Sequence, residues 1–174
     1  SFANFVGFYK IDFLAGINPG GNWGPKRWLK ENFIGLADKL ADEFKAKIII
    51  TGSDQDIGLA QVIRQNMRHG AILACGKLTI KQFAVLANIL NIFVSADSGP
   101  MHIANAMGAR KIIALFGPTD PKLTGPYPSD NVVIVRKNVA CRIPCYKVNC
   151  TDNLCMKKIT VDYVIEEIRK SFKQ

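Results

Sequence analysis

No stretch of this sequence is apolar for long enough to cross a bilayer. The longest candidate, Phe83 to Ala96, is interrupted by Asn88 and Asn91 and falls short of the roughly 20 residues that a spanning helix needs. A secretory signal pattern is also missing, because Lys10 and Asp12 break the early apolar residues. The expectation is a soluble, cytoplasmic chain. Acidic residues are scarce: 14 Asp and Glu stand against 23 Lys and Arg, a net charge of +9. That balance suits a polyanion, an anionic membrane surface or a phosphorylated ligand. RNA-module signatures, zinc-finger spacing and an aromatic-studded basic stripe are all lacking, which argues against a nucleic-acid partner. Internal repeats and low-complexity tracts are lacking too. What remains, 174 residues of which 48% are hydrophobic, has the proportions of one globular domain with its own core.

Short apolar runs alternate with helical periodicity along the chain. Strands are expected at 13–17, 47–51, 71–75, 92–95, 111–116 and 132–135, nearly all apolar as doubly covered parallel strands are. Between them, Phe33, Leu36, Ala37, Leu40 and Phe44 recur at helical spacing. Asp54 and Asp56 open a helix with Ile57, Ala60 and Ile63 on its core face. Thr79 caps another carrying Ile80, Phe83, Leu86, Ala87 and Leu90. Thr160 caps a last helix with Val161, Val164, Ile165, Ile168 and Phe172 on one side. This alternation predicts an α/β, Rossmann-like open parallel sheet of about six strands with right-handed crossovers. Residues 1–12, rich in Phe2, Phe5, Val6, Phe8 and Tyr9, are expected to be a residual interdomain segment, leaving 13–174 as the domain.

Two turns carry the chemistry. After the fourth strand, Ala96-Asp97-Ser98-Gly99-Pro100-Met101-His102 reads as a small polar turn opening a helix. Pro is favoured in a first turn, Asp97 or Ser98 can cap it, and the free N–H groups make an anion site. His102, four residues after Ser98, can share its helix face and meet the same ligand. After the first strand comes Asn18-Pro19-Gly20-Gly21-Asn22-Trp23-Gly24-Pro25-Lys26-Arg27-Trp28. Its glycines allow close backbone approach, and Lys26 and Arg27 supply charge. This loop follows neither G-x-G-x-x-G nor the Walker pattern, which argues against a dinucleotide cofactor or a P-loop NTPase. Asp97, Ser98 and His102 also admit a hydrolase triad, but Ser98 stands in no G-x-S-x-G elbow. Asp54-Gln55-Asp56 has the form of a cation-holding Asp-x-Asp, although acids at that point equally suit a helix start.

Cys141, Cys145, Cys150 and Cys155 lie within fifteen residues. They admit a zinc site, structural thiols or pairs that oxidise, though the spacing lacks Cys-x-x-Cys knuckles. Cys75 stands alone in an apolar context as a small buried residue.

Taken in order, Asn18 to Trp28, Asp97 to His102, Ala114-Leu-Phe-Gly-Pro-Thr-Asp-Pro121 and Thr124-Gly-Pro126 strongly resemble the C-terminal half of the ADP-heptose:lipopolysaccharide heptosyltransferases, glycosyltransferase family 9. The cysteines at 141–145 and the Cys155-Met156 pair look like that family as well. Many members carry Thr where this chain has Ser98, and both keep the hydroxyl. The resemblance implies the donor-binding half of a two-domain GT-B enzyme. That enzyme would move a heptose or similar sugar from a nucleotide diphosphate to a lipopolysaccharide core acceptor, inverting the anomeric centre without a metal or other cofactor. The general base would come from a preceding N-terminal half, so the isolated domain is expected to be inactive. By the same resemblance, the donor site would comprise Gly20, Gly21, Asn22, Lys26, Asp97, Ser98, Gly99, Met101 and His102. Lys26 would meet the diphosphate, and Asp97 would hold the turn or contact the sugar. The basic surface would favour peripheral contact with an anionic inner membrane. Two other readings remain: a stand-alone nucleotide-binding module without catalysis, and a zinc-stabilised basic module that binds nucleic acid.

Overall fold

The computed structural model of the protein describes residues 13–128 and 130–173; the expected interdomain segment 1–12 lies outside the described residues. Six strands run parallel: β1 (Leu14–Asn18), β2 (Lys47–Ile50), β3 (Ala71–Leu73), β4 (Ile92–Ala96), β5 (Ile112–Leu115) and β6 (Val132–Val135). Their order across the sheet is β3-β2-β1-β4-β5-β6, the Rossmann-like arrangement expected from the alternating pattern.

Because side chains alternate along a strand, each strand feeds two cores. Ala15, Ile17, Ile48, Ile50, Val94, Ile113 and Leu115 face one side. There they meet α1 (Lys30–Phe44), α2 (Ile57–Asn66) and the last helix, α7 (Val161–Ser171). Leu14, Ile49, Phe93, Ile112 and Ala114 face the other side, covered by α3 (Ile80–Ile89) and α4 (Gly99–Ala106). Two short helices, α5 (Pro121–Thr124) and α6 (Leu154–Lys157), lie in the connections after β5 and β6; neither is visible in the sequence periodicity.

Local chemistry sets the boundaries. Thr79 and Gln82 form a reciprocal capping box at α3, and the Thr160 hydroxyl accepts from the Tyr163 N–H at α7. Two residues expected in the core are outside it. Ile57 is 38% exposed and Ile80 is 73% exposed. Asp54–Asp56 form a tight 3-10 turn rather than the first turn of α2, which shifts the phase of the apolar face. Ile80 is the first helical residue after its cap and sits at the mouth of a side cavity. Among the described residues, no helix is long and apolar enough to cross a membrane.

One core residue bears directly on the site. Trp28 is buried, its Nε1–H donates to the Ile159 carbonyl at 2.7 Å, and its ring meets Phe33 edge-on at 5.1 Å. This anchor fixes the end of the loop after β1 against the C-terminal part of the chain. Lys26, two residues earlier, is positioned by it.

Candidate functional site

The sheet order reverses between β1 and β4, whose last registered pair is Asn18↔Ser95. Open α/β sheets bind ligands at such a switch point, outside the carboxyl ends of the strands. A cleft of about 310 Å³ lies there. The loop after β1 forms one wall with Gly20, Gly21, Asn22, Trp23, Lys26 and Arg27. The turn after β4 forms the other with Asp97, Ser98 and Gly99, and Gly52, Ser53 and Asp56 after β2 close the floor.

The two turns singled out in the sequence are joined by charge. Lys26 Nζ lies 2.7 Å from Asp97 Oδ2, with the lysine side chain 24% exposed and the carboxylate only 5%. Thr124 Oγ1 donates to the same Asp97 oxygen at 2.9 Å. The ammonium also lies 5.8 Å from the Trp23 ring centre, within cation–π reach. The neighbouring Arg27 turns back, its Nε–H donating to the Gly21 carbonyl at 2.7 Å, and so braces the glycine loop. Gly20 is required by close approach, since a Cβ there would fall 2.3 Å from the Asp56 carboxyl carbon. Asp56 is itself held by Ser53, whose N–H and hydroxyl donate to Oδ2 at 2.9 and 2.7 Å. The Asp-x-Asp segment therefore works as a helix start.

At the turn after β4, neither expected cap is made. Ser98 occupies the N-cap position of α4, but its hydroxyl pairs with the Ser95 hydroxyl at 3.0 Å instead of capping. The Asp97 carboxylate is committed to Lys26 and Thr124. The first turn of α4, with Pro100 inside it, thus lines the cleft without a side-chain cap, in the same cleft as Lys26, and a helix start carries the positive end of the dipole. Gly20, Gly21, Asn22, Lys26, Asp97, Ser98 and Gly99 are brought together as expected. Met101 and His102 are not. Met101 is fully buried in the apolar cluster with Phe83, Leu86 and Phe93, because position and helical spacing put it with Ala104 on the core face. His102 is exposed on the outer side of α4 and does not line the cleft, which also removes the triad arrangement. Sequence reasoning missed Gly52 and Ser53 as parts of the floor; their position after β2, next to β1, was the available signal.

The four C-terminal cysteines are free thiols. Among the described residues no three His, Cys, Asp or Glu side chains gather to hold a metal ion. Cys150 Sγ instead accepts the Asn153 N–H at 3.3 Å and the Cys155 thiol points to Asn153 Oδ1. Burial is the main cause that raises the Cys155 thiol above its ordinary range. Cys75 is buried as expected, and burial, with Asp56 and Asp54 nearby, pushes its thiol up to about 11.

Comparison with known proteins bears on this site as a whole. The model of glycosyltransferase family 9 (heptosyltransferase) matches residues 8–155. Lipooligosaccharide heptosyltransferase 2 of Campylobacter jejuni is 32% identical over 164 residues, covering 90% of this chain and 51% of that protein. The enzyme of the same name from Haemophilus influenzae is 35% identical over 128 residues, covering 71% of this chain and 36% of its own length. The crystal structure of a family 9 glycosyltransferase from Veillonella parvula superposes with a TM-score of 0.87 at 26% identity, over 98% of this chain and 48% of that one. The structure of Escherichia coli ADP-heptose lps heptosyltransferase II gives 0.80 at 25% identity, over 97% and 49%. The chain spans about half the length, or less, of these relatives. The motifs, the sheet and these matches agree, and the chain belongs to glycosyltransferase family 9, the heptosyltransferases.

Proposed function

We propose that this chain is the donor-binding domain of a sugar-transferring enzyme and that the cleft holds the diphosphate of a nucleotide sugar. The observation that carries the reading is the convergence of the Lys26 ammonium and the uncapped start of α4 on one cleft at the switch point. An ammonium has three donors, so Lys26 can keep Asp97 and still reach a phosphate oxygen. The backbone N–H groups around Ser98 and Gly99 would meet the same anion, and the glycines at 20–21 let the chain approach it closely. A second, more apolar cavity of about 370 Å³ adjoins the first through Gly52, Ser53, Gly99 and Pro100 and is lined by Leu78, Ile80, Phe83 and Ile103. It suits the nucleobase. The donor we infer is ADP-heptose or a close analogue, in keeping with the Escherichia coli relative.

In the proposed reaction an acceptor hydroxyl attacks the anomeric carbon as the carbon–oxygen bond to the diphosphate breaks. The configuration inverts, the hydroxyl proton passes to a base, and the nucleoside diphosphate leaves. Negative charge grows on the departing diphosphate, where Lys26 and the backbone N–H groups at Ser98 and Gly99 would neutralise it, so that a divalent cation is not needed in that role. The base, and the lipopolysaccharide core acceptor, are assigned to the part of the relatives that this chain does not span. The isolated domain is then a donor binder without transfer activity. The net charge of +9 favours peripheral contact with an anionic membrane face. Calorimetry with ADP, UDP and GDP tests the reading. Saturable ADP binding supports it, and no binding of any of the three overturns it.

A further inference from the structure

The ion pair in the cleft has a third member for which diphosphate binding alone supplies no role. Thr124 closes α5, far along the chain from both partners. The helix is set by Asp120, whose carboxylate accepts the Lys122 N–H at 3.0 Å and whose carbonyl accepts the Thr124 N–H at 3.0 Å. The chain then turns at once. The Gly125 N–H donates to the Pro121 carbonyl at 2.8 Å, and a Cβ at Gly125 would fall 2.3 Å from that oxygen. The Asp-Pro…Thr-Gly pattern thus builds a single tight turn that presents one hydroxyl. Thr124 Oγ1 lies 2.9 Å from Asp97 Oδ2, the same atom that sits 2.7 Å from Lys26 Nζ. Its alternative acceptor, the Asp120 carbonyl, is farther away at 3.4 Å.

We propose that Thr124 is a positioning residue of the donor site, acting through Asp97 on Lys26; this rests on the donor-site reading above. Asp97 is almost fully buried, and a buried carboxylate that loses its partner carries the full cost of desolvation. When a diphosphate draws on the Lys26 ammonium, the Asp97–Lys26 contact weakens. The Thr124 hydroxyl remains on the carboxylate and keeps it satisfied, so Lys26 can be shared between carboxylate and phosphate without orphaning either. The same bond fixes the Asp97 rotamer, which holds the ammonium at the cleft rather than in solvent. Thr124 does not itself touch the donor in this arrangement.

The test is ADP binding by calorimetry on the 174-residue chain, with wild type, Thr124→Val, Thr124→Ala and Thr124→Ser, and with Lys26→Met alone and combined with Thr124→Val. Loss of the hydroxyl should weaken ADP binding about three- to tenfold, the size of one net hydrogen bond. Thr124→Ser, which keeps the hydroxyl, should stay within about twofold of wild type. In the Lys26→Met background the Thr124→Val penalty should shrink below about twofold, because two residues acting through one contact are not additive. Unchanged affinity in both Thr124→Val and Thr124→Ala overturns the proposal. So does a penalty that persists undiminished without Lys26, or that Ser fails to rescue, since either marks a general loss of structure. If wild type itself does not bind ADP, the donor-site reading fails and takes this inference with it. If wild type binds and the hydroxyl is irrelevant, this inference alone fails.

Discussion

Replacing Lys26 by Ala should weaken nucleoside diphosphate binding strongly, and the structure sets how strongly. A charge-assisted contact to phosphate is worth about 1.5–3 kcal/mol, or about 10- to 150-fold in Kd. Two secondary effects oppose each other. Without the ammonium, the Asp97 carboxylate, 5% exposed, faces the incoming diphosphate with no cation between them, which weakens binding further. Against this, the variant no longer has an ion pair for the ligand to perturb, which favours binding. The first effect should win. Lys26 can serve carboxylate and phosphate together while Thr124 keeps the carboxylate satisfied, so the weakened ion pair costs wild type little, whereas the repulsion in the variant is uncompensated in a partly buried site. The expected loss therefore lies in the upper half of the range. The assay is calorimetry with ADP at about 0.15 M salt, where screening over about 8 Å leaves contacts within the cleft intact. A folded Lys26→Ala protein that binds ADP within about twofold of wild type would refute the reasoning.

Gly20→Ala must displace either the glycine loop or Asp56, because the new Cβ would fall 2.3 Å from the carboxyl carbon. Overpacking of this kind should lower stability by about 1–3 kcal/mol and weaken ADP binding with it; an unchanged denaturation midpoint would contradict the close approach. Thiol reactivity should follow burial. With the Cys75 thiol raised to about 11, only about a thousandth is thiolate near pH 8. Under native conditions iodoacetamide should modify exposed Cys141 first, Cys155 later and Cys75 last, with the Cys75 rate still rising steeply above about pH 9 because a raised pKa delays the thiolate. Equal labelling of Cys75 and Cys141 near pH 8, read by mass spectrometry, would contradict this order.

Much of the fold was legible because strands covered on both faces leave almost no polar residues: Ile48-Ile49-Ile50 and Ile112-Ile113 have few other uses. The helix caps at Thr79 and Thr160 were equally local and equally readable. The site was half legible. The glycine loop and the Asp-Ser-Gly-Pro turn announced themselves by residue type, yet their link could not. Lys26 and Asp97 are 71 positions apart, and only the strand order makes β1 and β4 neighbours. Thr124 reaches Asp97 through a tight turn after β5, a contact that no periodicity encodes. Met101 shows the opposite failure. The family resemblance drew it into the expected site, while its spacing to Ala104 placed it in the core. The uncapped start of α4 was hidden too, because Ser98 has the right identity for a cap and spends its hydroxyl on Ser95.

The central claim is that the cleft between the β1 and β4 turns holds a diphosphate, and a crystal structure of the chain with ADP tests it most directly. The account predicts phosphate oxygens at about 2.7–2.9 Å from Lys26 Nζ, with the backbone N–H groups of Ser98 or Gly99 on the same group and the base in the apolar cavity beside Leu78 and Phe83. Diphosphate density elsewhere, for example in the open groove lined by Asp42, Lys45 and His69, with Lys26 still paired only to Asp97, would contradict it.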